Sequence, residues 1–221
     1  MSFEPLLLSF QIAILATALA GVLGIALAGL MAQTRFFGRD LLEALVTAPM
    51  VMPPTVLGYY LLVVLGRDSV LGHGFEALFG SSIVFTPTGA VIAATVGALP
   101  FVVKSARAAI EDVDPSLVGA ARTLGASPMR VFFTILLPLS AGGIAAGLTL
   151  GFARALGDFG VTLMVSGNIP GATQTASLFI YDAVQSGRET DAAAMIAVLT
   201  SLAMFALYAV NKLTRSRRHG W

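Results

Sequence analysis

Gly119-Ala120-Ala121-Arg122-Thr123-Leu124-Gly125, followed ten residues later by Ile135-Leu136-Leu137-Pro138, is a patterned, partly polar stretch set between long apolar runs. Those surroundings decide the fold class. The 221-residue chain is 57% hydrophobic and 11% charged, with a mean hydropathy of +0.87, whereas soluble domains carry roughly 25% charged residues. So little charge cannot cover a soluble surface, and the charge-free runs are each about long enough to cross ~30 Å of hydrocarbon as helix. The chain reads as an all-α polytopic membrane protein, a single domain over residues 1–221 with its core at about 6–213. With no cysteine, disulfides and thiolate-ligated metals are excluded. The start, Met1-Ser2-Phe3-Glu4-Pro5, lacks the basic region of a cleaved signal peptide, so the first apolar run is expected to stay in the mature protein.

Charge-free intervals mark about five transmembrane helices. The first runs from about Leu6 to Met31, with Gly21, Gly24 and Gly29 as small surfaces for close helix packing. The second runs from about Ala44 to Leu65 and contains Pro49, Pro53 and Pro54. Paired prolines remove backbone donors, so a break or kink is expected there. A membrane tolerates one only where the freed groups face protein or a water-filled cavity, which makes Pro53 and Pro54 candidate pathway residues. The third span is about Thr88–Val103, the fourth about Val131–Ala153 and the fifth about Ala192–Val210; Phe159–Val165 is too short to cross.

The basic residues orient these spans. Placing the loop after the third span inside puts Arg35, Arg39, Lys104, Arg107, Arg122, Arg130, Lys212, Arg215, Arg217 and Arg218 on that side, leaving Arg67, Arg154 and Arg188 towards the other. The positive-inside bias then predicts an amino terminus outside, a carboxyl terminus in the cytoplasm and a cytoplasmic loop over about 104–130. The tail from Lys212 to Arg218 reads as an orientation anchor at the lipid surface, with no nucleic-acid partner.

Within the loop, Asp114-Pro115 and Ser127-Pro128 are helix starts, and Gly125 suits the left-handed residue that closes a helix. Two short helices are expected. Leu117, Ala120, Ala121 and Leu124 fall at i, i+3, i+4 and i+7, an apolar stripe on a helix too short to cross the membrane. The stripe fits either packing on the inner ends of the chain's own spans or docking in a groove of a soluble partner.

Ala120-Ala121, Gly125, Ile135 and Leu137-Pro138 are similar in type and spacing to the EAA motif of the binding-protein-dependent ABC importer permeases. The motif's glutamate position holds Gly119, so an ionic contact from that position is lost while the small-residue helix remains. Val51-Met52-Pro53-Pro54-Thr55-Val56-Leu57-Gly58-Tyr59-Tyr60, Phe152-Ala153-Arg154-Ala155-Leu156-Gly157-Asp158-Phe159-Gly160 and Gly167-Asn168-Ile169-Pro170-Gly171-Ala172-Thr173 resemble segments of the molybdate members of that family. The second of these is shared in part with sulfate permeases. The resemblance implies a MetI-like type I permease fold, with the loop as an element coupling it to an ATPase through Gly119, Ala120, Ala121, Leu124, Gly125, Ile135, Leu137 and Pro138. It further implies two copies lining one pathway in a prokaryotic cytoplasmic membrane, two ATP-binding subunits that use ATP and Mg, and an external molybdate-binding protein. The permease itself would carry no cofactor and no catalytic residue; tungstate and sulfate are the alternative cargoes.

Arg154 and Asp158 are i and i+4 if their helix continues. From Pro138 to Arg154 is ~24 Å of helix, so Arg154 is expected near the outer boundary of the fourth span rather than at its midpoint. Two readings stand: a neutral structural pair, or an arginine at the outer mouth that attracts an oxyanion while Asp158 holds it ready. Asn168 joins the candidate pathway through its segment. Gly143, Gly147, Gly151 and Ala155 form a small-residue stripe that suits either another span of the same chain or a second copy. His73 reads as a solvated loop residue and the eight methionines as apolar filler. No HExxH, P-loop or nucleophile triad is present, so ATP binding is assigned to a separate subunit. A passive channel and an intramembrane enzyme are the readings from other classes; the latter needs paired ionisable groups deep in the spans, which the long charge-free intervals oppose.

Overall fold

A computed structural model describes residues 3–34 and 36–216, all helix, turn or irregular connection with no strand. Arg35, Arg217 and Arg218, assigned above to the cytoplasmic side, lie outside the described residues. The helices are α1 Glu4–Gln33, α2 Arg39–Val51, α3 Pro54–Leu65, α4 Val70–Phe79, α5 Pro87–Glu111, α6 Pro115–Thr123, α7 Pro128–Val131, α8 Leu137–Leu139, α9 Ala141–Leu156, α10 Gly160–Ser166, α11 Ala176–Gln185 and α12 Glu189–Ser216. A π-helical turn, Phe132–Leu136, joins α7 to α8. Three helices (α1, α5 and α12) are long and apolar enough to cross a membrane, and the number rises to five if each of two bent pairs is one span.

Both bends follow from proline. At Pro53-Pro54 neither nitrogen can donate, Met52 and Pro53 take extended conformations with ψ of 138° and 135°, and α2 meets α3 at 119°. Ahead of Pro138 the Thr134 carbonyl loses its regular donor. The backbone widens so that the Leu137 N–H reaches Phe132 O, five residues back. The segment Pro128–Leu139 then turns by 74° into α9, with the Ser140 hydroxyl donating to Leu136 O. The fourth span, expected over about 131–153, therefore consists of two segments that meet at this bend.

Small residues let α1, α5 and α9 approach closely around one core. Ala13, Ala16 and Ala20 of α1 face Ala90, Ala94 and Ala98 of α5, all essentially buried. The glycine stripe of α9 packs inside the chain: a Cβ on Gly143 would collide with Ala109, one on Gly147 would lie 2.8 Å from Ser105 Cβ, and one on Gly151 3.1 Å from Val102 Cγ2. Of the two readings of that stripe, contact with another span of the same chain is the one found. Gly147→Leu is therefore expected to cost about 1–3 kcal/mol through overpacking, visible as a lower thermal midpoint of the detergent-solubilised protein. Gly119→Leu, where a Cβ meets nothing within 4 Å, should leave that midpoint unchanged.

The short run 159–165 forms α10, which packs on α3 and on the early part of α5. It fills the space left because α9 stops short of the end of α5. At the opposite end of the bundle, Arg107 bridges Glu43 at 2.6 Å and Glu111 at 2.8 Å, and Arg39 reaches Glu111 at 3.1 Å. This network ties the start of α2 to the end of α5, next to the loop that carries α6.

Candidate functional site

The loop at the basic end is built from caps. The Asp114 carboxylate accepts from the Ser116 N–H at 2.8 Å, which holds its pKa below the usual aspartate value. At the other end of α6, Gly125 has φ +81°, its N–H donates to Arg122 O, and the Ala126 N–H donates to Ala121 O. Those two bonds form a Schellman closure that requires the left-handed residue. Ser127 Oγ then accepts from the Arg130 N–H at 3.3 Å and starts α7.

No residue of α6 is fully buried. The expected stripe is divided between two surfaces. Ala121, with Val118 beside it, packs partly against the chain's own apolar cluster around Val131 and Leu136. Leu117, Ala120 and Leu124 face away, with Leu124 88% exposed. Ile135 and Leu137 join the same internal cluster, while Pro138 is exposed beside the π-helical turn. The motif therefore consists of an outward helix face and an inward anchor. Gly119 lies on open surface.

The second candidate site lies where α2, α3, α5, α9 and α10 meet. A cavity of about 510 Å³ is lined by Pro49, Met50, Met52, Pro54, Thr55, Phe101, Arg154, Gly157, Asp158, Phe159 and Gly160. Arg154 is in the last turn of α9, near the end of the fourth span as expected, and it lies beside the middle part of α5. Its guanidinium lies over Gly97, where a Cβ would be 3.5 Å from Nη2. Gly97 is ten residues into α5 from Pro87, or about 15 Å along the helix. Because α9 ends part-way along α5, the end of the helix and the end of the bundle do not coincide, and the arginine is internal.

Arg154 Nη1 donates to Asp158 Oδ1 at 2.8 Å, across the helix end at Gly157. Asp158 Oδ2 accepts from the Thr162 N–H at 2.9 Å and from its hydroxyl at 2.6 Å. The aspartate side chain is 3% exposed and the arginine 28%, so the cation is presented to the cavity with its counter-ion behind it. Pro54 packs against Gly160, where a Cβ would be 2.9 Å from Pro54 Cβ. That close approach brings the break before α3 to the start of α10.

Pro54, Arg154 and Asp158 thus share one cavity. Pro53 is adjacent, its carbonyl accepting from the Val56 and Leu57 N–H groups. Asn168 is elsewhere: its Oδ1 accepts from Gln174 Nε2 at 3.0 Å within the 167–175 turn, where the Thr173 hydroxyl accepts from the Ile169 N–H. Thr162 was missed in the sequence, although an acid placed just ahead of a helix and four residues before a threonine is a capping signal. Thr55 stood only within the 51–60 segment and Phe101 gave no signal, since their place in the cavity depends on the proline break.

The geometry combines a broken membrane span, a cavity lined by the Arg154 guanidinium, and an external helix face at the basic end. Residues 5–219 match the family model described as "Binding-protein-dependent transport system inner membrane component". The chain is 42% identical over 217 residues to the molybdenum transport system permease protein ModB of Escherichia coli K12, covering 98% of this chain and 95% of that protein. Its fold is similar to a chain in a structure of the MetNI methionine ABC transporter in inward-facing conformations, with a TM-score of 0.75, 18% identity, and coverage of 98% and 99%. It is also similar to a chain of the bacterial alginate ABC transporter in complex with its alginate pentasaccharide-bound periplasmic protein, with a TM-score of 0.77, 16% identity, and coverage of 98% and 79%. With the family model spanning nearly its full length, this multi-pass membrane protein belongs to the family of binding-protein-dependent transport system inner membrane components.

Proposed function

We propose that this chain is the membrane-spanning permease of an ABC importer for molybdate. The observation that carries the substrate is the likeness to a molybdenum permease over nearly the whole chain. The cavity at Arg154 supports it physically, because an internal guanidinium with free N–H groups favours a tetrahedral oxyanion. Pro54, Arg154 and Asp158 are assigned to the pathway, with Pro53 as the break that opens it. Asn168 is assigned to the shape of the turn beyond.

The exposed Leu117, Ala120 and Leu124 face of α6 is assigned to docking on the ATP-binding subunit, held in place by Ala121, Gly125, Ile135, Leu137 and Pro138. Two copies of the permease line one pathway, two ATPase subunits grip the α6 loops, and an external binding protein delivers the anion. The basic end faces the cytoplasm and the amino terminus faces out. This subunit acts as conduit and lever: ATP and Mg are used by the partner, whose closure moves α6 and with it the bent spans.

The test is reconstitution in liposomes with the partner ATPase and binding protein, measuring uptake of molybdate, tungstate and sulfate. Molybdate and tungstate are expected to accumulate against a gradient with ATP, and sulfate much less. Preferential sulfate accumulation would overturn the substrate assignment, and equal flux without ATP would establish a passive channel.

A further inference from the structure

Arg154 and Asp158 form a pair, but they are not equally committed to it. Asp158 Oδ2 is held by both donors of Thr162, so the carboxylate keeps two hydrogen bonds whatever the arginine does. Arg154 has no such second hold: among the described residues, Asp158 is its one hydrogen-bond partner. Its Nη2 and Nε lie over the buried Gly97, 3.5 and 3.9 Å from where a Cβ would be, with no hydrogen-bond acceptor among the described residues. The guanidinium lines the cavity with N–H groups left for another acceptor, while the aspartate is fixed from behind by α10.

We propose that Asp158 is an internal counter-ion that competes with the passing oxyanion for Arg154 and so sets how readily the anion leaves. This rests on the assignment of Arg154 to the pathway. An unopposed guanidinium in a site of reduced dielectric would attract a doubly charged anion strongly. Conduction requires a site weak enough to release what it admits. Pairing brings the resting charge of the site close to zero, so the arriving anion meets a dipole with its positive end forward. As the guanidinium swings to the anion, Asp158 retains its bonds to Thr162; as the anion moves on, Asp158 recaptures Nη1. Asp158 is a positioning residue that acts through Arg154.

The test uses the assembled complex of permease and ATPase, measuring equilibrium retention of radiolabelled molybdate without the binding protein. Turnover is measured in parallel in proteoliposomes over a range of loaded binding protein. Asp158→Asn is expected to retain molybdate about tenfold more tightly, with both the maximal turnover and the half-saturating concentration reduced. Thr162→Val removes one of the bonds that make the carboxylate independent of Arg154, so it should move retention the opposite way, with a higher half-saturating concentration. Asp158→Glu, which keeps the charge, should restore retention to near the starting value.

A purely structural role predicts lost turnover with no such split and no opposite sign. Unchanged or weaker retention in Asp158→Asn would overturn the inference. If that variant does not assemble, unchanged or tighter retention in Thr162→Val overturns it instead. Normal flux in Arg154→Ala would remove the pathway assignment underneath, whereas lost flux in Arg154→Ala with a neutral Asp158→Asn would remove only the counter-ion role.

Discussion

Arg154→Ala is expected to lower ATP-driven molybdate uptake at least about tenfold, the loss that follows from ~1.4 kcal/mol of lost stabilisation at a single step of the path. Among the described residues, Arg154 is the one cation lining the cavity at the break between α2 and α3, so its removal takes away the positive group they supply there. The single variant also uncovers the 3% exposed Asp158, and breaking a buried pair costs about 3–5 kcal/mol when the remaining charge is uncompensated. The two Thr162 donors offset part of that cost. The double variant Arg154→Ala/Asp158→Asn separates the effects: it should recover assembly yield without recovering uptake. Arg154→Lys keeps the charge but loses the planar fork, and should transport at an intermediate rate. Unchanged uptake in Arg154→Ala with retained assembly would reduce the ion pair to a structural one.

The same pair shows what the sequence could and could not reveal. Its i, i+4 spacing was readable because both residues belong to one local stretch, and so was the break at Pro53-Pro54, since paired prolines cannot donate. The cavity was not readable, because it forms only when α10, a segment too short to cross, packs Gly160 against Pro54. The place of Arg154 near the end of its own span was readable from the count of residues after Pro138, whereas its level beside Gly97, part-way along α5, was not, because that depends on how α9 is set against α5. The glycine stripe of α9 had two open partners because small residues mark close packing without saying which helix supplies it. The Arg39, Glu43, Arg107 and Glu111 network escaped notice because its acids and bases are up to 72 positions apart. The helix caps around α6 were the most legible feature, since Asp114, Gly125 and Ser127 each act within a few residues of their own positions.

Gly125→Val is expected to leave membrane insertion and the bundle's thermal midpoint intact while uncoupling transport from ATP hydrolysis. The residue has φ +81°, and a β-branched side chain in that region costs about 1–3 kcal/mol. A Cβ there meets nothing within 4 Å, so the cost arises from backbone strain and leaves the packing undisturbed. The strain is relieved by abandoning the left-handed closure, with loss of the bonds from the Gly125 and Ala126 N–H groups to Arg122 and Ala121. Because no residue of α6 is fully buried, these end bonds and the partial seating of Val118 and Ala121 fix its direction. Once they are lost, Leu117, Ala120 and Leu124 no longer present one face. The measurements are association with the ATPase, ATP hydrolysis and molybdate uptake in proteoliposomes: association should weaken and uptake per ATP should fall several-fold. Gly125→Asn separates conformation from side-chain volume, since asparagine enters the left-handed region readily, and it should retain most of the coupling. Normal association and normal uptake in Gly125→Val would sink the assignment of this loop, because a lever whose end geometry does not matter is not transmitting the stroke.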